Sequence, residues 1–155
     1  MIMICSGFSA WRIPGAYAED DTKSVKLVII MNSKSPIKDI SLKKLKRIYE
    51  GKIKSIKGLG NVLPIDLPKK DANREAFSKI VLNKEIEEVI RMYLKNALLG
   101  KSQSPKIVKT EQDVIKTVKN NLRAIAYVNS NCNCDGVMKI TINTKKFLES
   151  KKRLE

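Results

Sequence analysis

Apolar and polar positions alternate in two distinct periods along this chain. Residues 25–31, VKLVIIM, form a continuous β-branched run that reads as a buried strand, stopped by the loop NSKSP. Leu42, Leu45, Ile48 and Tyr49 then recur at helical spacing, with Lys43, Lys44, Lys46 and Arg47 on the opposite face. Ser41 is placed to cap this helix and Gly51 to close it. A polar loop at 52–61 leads to a second strand, VLPIDL at 62–67, with Pro64 marking an edge or a kink. Asp71 can cap a helix whose inward positions are Ala72, Ala76, Phe77, Ile80 and Val81. A longer helix at 84–99 places Ile86, Val89, Ile90, Tyr93, Leu94, Ala97 and Leu98 on one face, and Gly100 ends it. A short strand at 106–109, a helix at 111–121 capped by Thr110, and strands at 124–128 and 137–142 complete the series. Strands alternate with helices, so the expected class is α/β.

Two segments stand outside this pattern. Residues 1–18 begin MIMICSGFSAW and end Ala-Tyr-Ala before Glu19, which is a signal-peptidase pattern, although the basic leader residues are missing. The expected organisation is a signal peptide at 1–18, truncated at its basic start, a domain at 19–143 and a charged tail at 144–155, helical around Phe147 and Leu148; the alternative for 1–18 is an extra N-terminal strand or a disordered tail. The expected location is periplasmic, by export. No apolar run reaches the length of a membrane-spanning helix.

Composition narrows the chemistry. The 155 residues carry 31 Lys+Arg against 16 Asp+Glu, a formal charge of +15, and no histidine. The basic residues are mostly lysines spread along the whole chain, and aromatics are only 5%. A dedicated nucleic-acid surface would cluster its cations, so nucleic acid is not the favoured partner; a basic cytoplasmic nucleic-acid binder is kept as an alternative. A small anion or an acidic membrane surface stays open. Without histidine, the usual metal ligand and the usual general base are both missing. No nucleophile–base pair or paired-carboxylate motif is present, so no catalytic residue, metal or cofactor is expected and the chain does not read as an enzyme. Cys132 and Cys134, in Cys-Asn-Cys, are either loop thiols without chemistry or a local disulfide in an oxidising compartment.

Four stretches carry a resemblance: LVIIMNSKSPIKDISLKKLKRIYEGKIKSIKG, VLPIDLPKKDANREAFSKIVL, YLKNALLGKSQSPK and RAIAYVNS. In this order and spacing, over roughly residues 25–142, they resemble the phosphate-binding proteins of high-affinity ABC phosphate importers. The likeness implies one lobe of a type II periplasmic-binding-protein fold, with a mixed, mostly parallel central sheet flanked by helices. It implies a non-catalytic protein of phosphate import that holds phosphate or a similar oxyanion and meets an ABC permease or an envelope sensor. The alternative it leaves is an interaction module of the envelope that has lost its ligand. The family usually sets a serine-glycine-threonine turn at the anion-binding helix start. Here the matching positions read Lys70-Asp71-Ala72-Asn73-Arg74, with no hydroxyl, so Lys70, Asn73 and Arg74 become the candidate contacts. Ile56 stands where relatives tend to carry tryptophan. Ser33 and Ser35 join the candidates because they follow the first strand, at the expected C-terminal edge of a parallel sheet, where open α/β sheets bind ligands.

Overall fold

A computed structural model of the chain describes residues 25–101 and 104–143. The expected signal peptide and the charged tail lie outside the described residues. Eight strands and four helices follow in the order β1 (Leu27–Asn32), β2 (Asp39–Ser41), α1 (Leu42–Tyr49), β3 (Ser55–Ile56), β4 (Gly60–Asn61), β5 (Leu63–Asp66), α2 (Ala72–Phe77), α3 (Ile86–Leu98), β6 (Lys106–Ile107), α4 (Glu111–Asn120), β7 (Ala124–Asn129) and β8 (Val137–Asn143).

Six strands form one sheet in the order β2-β8-β1-β7-β5-β6, and β3 with β4 makes a separate small hairpin. The pairs β2/β8, β5/β7 and β5/β6 are parallel, whereas β1 is antiparallel to both of its neighbours. The sheet is therefore mixed and mostly parallel, with β1 the one reversed strand. Both central strands are buried on both faces, which is why VKLVIIM and AIAYV read as unbroken apolar runs rather than alternating ones.

Each helix starts where its sequence provides a cap. Ser41 accepts from the Lys44 amide, Asp71 from the Asn73 amide and Thr110 from the Asp113 amide. Glu85 and Glu88 form a reciprocal capping box at the start of α3. Leu45, Ile48 and Tyr49 of α1 and Val114 and Val118 of α4 are buried, leaving their lysines on the wet side.

The helix after α2 departs from expectation. Residues Ser78–Leu82 form a π-helical turn that ends at Asn83 in the left-handed conformation (φ 54°). The wider turn shifts the buried set from i+3 and i+4 of Phe77 to Val81 and Leu82, so Ile80 is turned outward. In α3 only Val89 and Tyr93 are buried, so Leu94 and Leu98 also face out. The β3–β4 hairpin sits in the predicted loop 52–61, and the short strand β2 lies in a stretch that the sequence pattern left unassigned, ending at the predicted cap Ser41.

Candidate functional site

Residues β5 to α2 build the most polar part of the interior. β5 ends at Asp66, whose carboxylate is buried. Arg74, in the first turn of α2, reaches back to it: Nη1 lies 3.0 Å from Asp66 Oδ2 and also donates to the Leu67 carbonyl. Tyr127 of β7 donates its hydroxyl to Asp66 Oδ1, and the Leu67 amide donates to the same oxygen at 2.9 Å. Tyr49 of α1 donates to the carbonyls of Ile65 and Ile125, at 2.9 and 3.3 Å. Phe77 stacks on Tyr127 at 4.0 Å and meets Tyr49 at 4.6 Å. The cluster thus locks β5, β7, α1 and α2 together around one ion pair.

Burial sets the protonation tendencies here. It pushes the Asp66 carboxyl above its ordinary value, although Arg74, the Tyr127 hydroxyl and the Leu67 amide all pull the other way. Burial also raises the phenols of Tyr49, Tyr93 and Tyr127, and the charge of Asp66 adds to each. Arg74 Nε and the Tyr93 hydroxyl are buried without a hydrogen-bond partner among the described residues.

The sheet topology separates the sequence-predicted contacts into two groups. Because β1 is reversed, Leu27 faces Asn129 and Met31 faces Ile125, while β5 runs with β7 and sets Pro64 beside Ile125. The loop leaving β1 therefore lies where β5 and β7 begin, and the loop leaving β5 lies at the opposite end. Ser33 and Ser35 are not at the C-terminal edge of the parallel strands, as the sequence reading placed them. The cause is that VKLVIIM gives no sign of strand direction. Ser33 is exposed, and Ser35 is buried with its hydroxyl accepting from the Ile37 amide at 3.3 Å. Their neighbour Asn32 caps the far end of α4, donating to the carbonyls of Val118 and Lys119.

Lys70, Asn73 and Arg74 do share the other end, but they do not point one way. Lys70 is exposed. Asn73 is half-buried, and its amide donates to Asp71 Oδ1 at 2.8 Å. Arg74 is 2% exposed and committed to Asp66 and Leu67. Lys69 pairs with Glu87 at 3.0 Å. At the same edge Glu111 accepts from the Asn129 amide and Thr110 caps α4. The Asn73, Asp113 and Asn129 amides at this edge are thus occupied by the chain's own oxygens, those of Asp71, Thr110 and Glu111. Cys132 and Cys134, in the loop after β7, have their sulfurs within bonding distance and their Cα atoms 5.5 Å apart. Sequence reasoning missed Asp66, Tyr127, Tyr49 and Tyr93. The available signal was an aspartate closing an otherwise apolar strand, which in an interior demands a cation nearby. Among the described residues, no group of His, Cys, Asp and Glu could hold a metal ion, and no helix is long and apolar enough to cross a membrane.

No protein-family model and no curated protein matches the chain. Solved structures do. An ABC-type phosphate transport receptor from Vibrio cholerae aligns over 76% of this chain with TM-score 0.61 and 15% identity. A structure assigned to the phosphate ABC transporter substrate-binding proteins, from Clostridium perfringens and with phosphate bound, aligns over 82% with TM-score 0.62 and 22% identity. PstS from Borrelia burgdorferi aligns over 82% with TM-score 0.60 and 20% identity. The matched regions are 46%, 50% and 52% of those three chains, so this chain spans about half their length. The likeness agrees with the resemblance read from the sequence: this chain has the fold of the phosphate ABC transporter substrate-binding proteins, at about half their extent.

Proposed function

We propose that this protein is an exported, non-catalytic lobe of the solute-binding kind, which works by association and holds phosphate or a similar oxyanion weakly. The observation that carries this reading is the fold: a half-length match to proteins described as phosphate receptors, one of them with phosphate bound. The contact belongs at the edge where β5 leads into α2, with Lys70 and Asn73 nearest the solvent and Arg74 behind them. On this half-length fold taken alone, the anion keeps much of its hydration. The expected affinity is therefore micromolar or looser, about −8 kcal/mol or weaker. Transport with an ABC permease, or signalling through an envelope sensor, would follow from such binding.

A second reading, an interaction module without a ligand, is favoured by one observation. The Asp71 carboxylate sits on the Asn73 amide, where it repels an anion. Titration calorimetry with phosphate at low salt separates the two. Heat that is competed by arsenate or sulfate supports oxyanion binding. No heat with the wild type but saturable heat with Asp71→Ser means the carboxylate has closed a site that the fold retains. No heat with either leaves the interaction module.

A further inference from the structure

From Leu94 to Lys101 every residue except Asn96 is exposed. The outer face of the last turns of α3 is thus open to solvent, while Val89 and Tyr93 hold the inner face and the Asn96 side chain donates to the Glu50 carbonyl at 3.3 Å. Leu94, Leu98 and Leu99 are 60%, 87% and 52% exposed. With Arg91 and Lys95 they line one shallow depression. Positions 91, 94, 95 and 98 share one helix face. All five residues come from α3 and its cap, so no second element walls the depression. Lys101 adds a third cation at the tip. The acids of α3 lie at its other end and are engaged: Glu87 pairs with Lys69, and Glu88 accepts from the Glu85 amide at 3.1 Å. The leucine-bearing face is therefore apolar, open and positively charged.

We propose that this end of α3 is a docking surface for an anionic lipid bilayer. The leucines enter the boundary between headgroups and acyl chains, and Arg91, Lys95 and Lys101 meet the headgroup phosphates. Shape and charge both favour lipid over protein. A helical partner needs a groove with walls, and this face has none. A second copy in a two-fold interface would bring two patches that both carry Arg91 and Lys95 together, between chains that each carry +15. A bilayer surface deforms to meet an unwalled apolar face and attracts its charge. The proposal is independent of whether an oxyanion is bound.

The test is flotation of the full-length chain with phosphatidylcholine vesicles, alone or with roughly one-third phosphatidylglycerol. Binding is expected to the anionic vesicles and not to the neutral ones. The double variant Leu94→Ser/Leu98→Ser changes only exposed side chains, so far-UV circular dichroism should be unaltered while binding falls by about tenfold. Arg91→Glu/Lys95→Glu should lose binding as well. Failure to bind anionic vesicles overturns the proposal. Binding undiminished by the serine variant also overturns it, by placing the lipid contact elsewhere in the chain. Sedimentation that shows a lipid-free dimer, abolished by the serine variant, assigns the face to a second copy instead.

Discussion

Asp66 and Arg74 are each nearly sealed from solvent, and each would be costly there without the other. Truncating one partner leaves a buried charge uncompensated, so Arg74→Ala is expected to lose about 3–5 kcal/mol in urea unfolding. Replacing both with apolar residues, Asp66→Leu/Arg74→Met, should recover much of that loss. If Arg74→Ala instead keeps full stability and loses phosphate heat, the guanidinium serves a ligand and not the fold. The carboxyl makes a second prediction. Its value in the folded chain is raised above the ordinary 3.8 by burial. Between those two values the folded chain holds a proton that the unfolded chain has released. Stability from this group is therefore complete below the ordinary value and lost as pH rises through the raised one. Urea midpoints measured from neutral pH down to about pH 4 should show wild type gaining on Asp66→Asn. A gap that narrows on acidification would mean that the pairing with Arg74, not burial, sets the carboxyl.

At the scale of elements, the turn that joins α2 to α3 depends on one backbone conformation. Asn83 closes the π-helical turn at φ 54°, a region open to asparagine and glycine but strained for alanine. Asn83→Gly should stay within about 0.5 kcal/mol of wild type, whereas Asn83→Ala should lose about 1–2 kcal/mol by thermal or urea unfolding. Equal stability of the two would show that the turn can reset its geometry. The same stretch marks how far the sequence could be read. Capping by Ser41, Asp71 and Thr110 was legible because short polar side chains before an apolar period have a local cause. The π turn was not, because a single inserted residue leaves no periodic trace, and it reversed the expected side of Ile80. Strand direction was illegible for a related reason. β1 is buried on both faces whichever way it runs, so only its pairing with β7 and β8 could move Ser33 and Ser35 to the opposite end. Asp66 was visible as an oddity in VLPIDL, but its partner lies eight residues on and Tyr127 much farther.

For the molecule as a whole, charge governs the response to ions. A formal charge of +15 on 155 residues opposes compaction through self-repulsion, and added salt screens it. The melting temperature is therefore expected to rise with sodium chloride, whatever the chain binds. Specific oxyanion binding must appear on top of that rise. With a dissociation constant of about 1 mM, 10 mM phosphate would add roughly 1.4 kcal/mol by mass action, against nothing from mere screening at matched ionic strength. The comparison has a structural control in Asp71. If its carboxylate competes for the Asn73 amide, Asp71→Ser should widen the difference between phosphate and chloride even as it weakens the cap of α2. Phosphate and chloride curves that coincide for both proteins would mean that the half-length fold keeps only its charge as an attraction for anions. The function would then lie on its surfaces, with α3 the first to test.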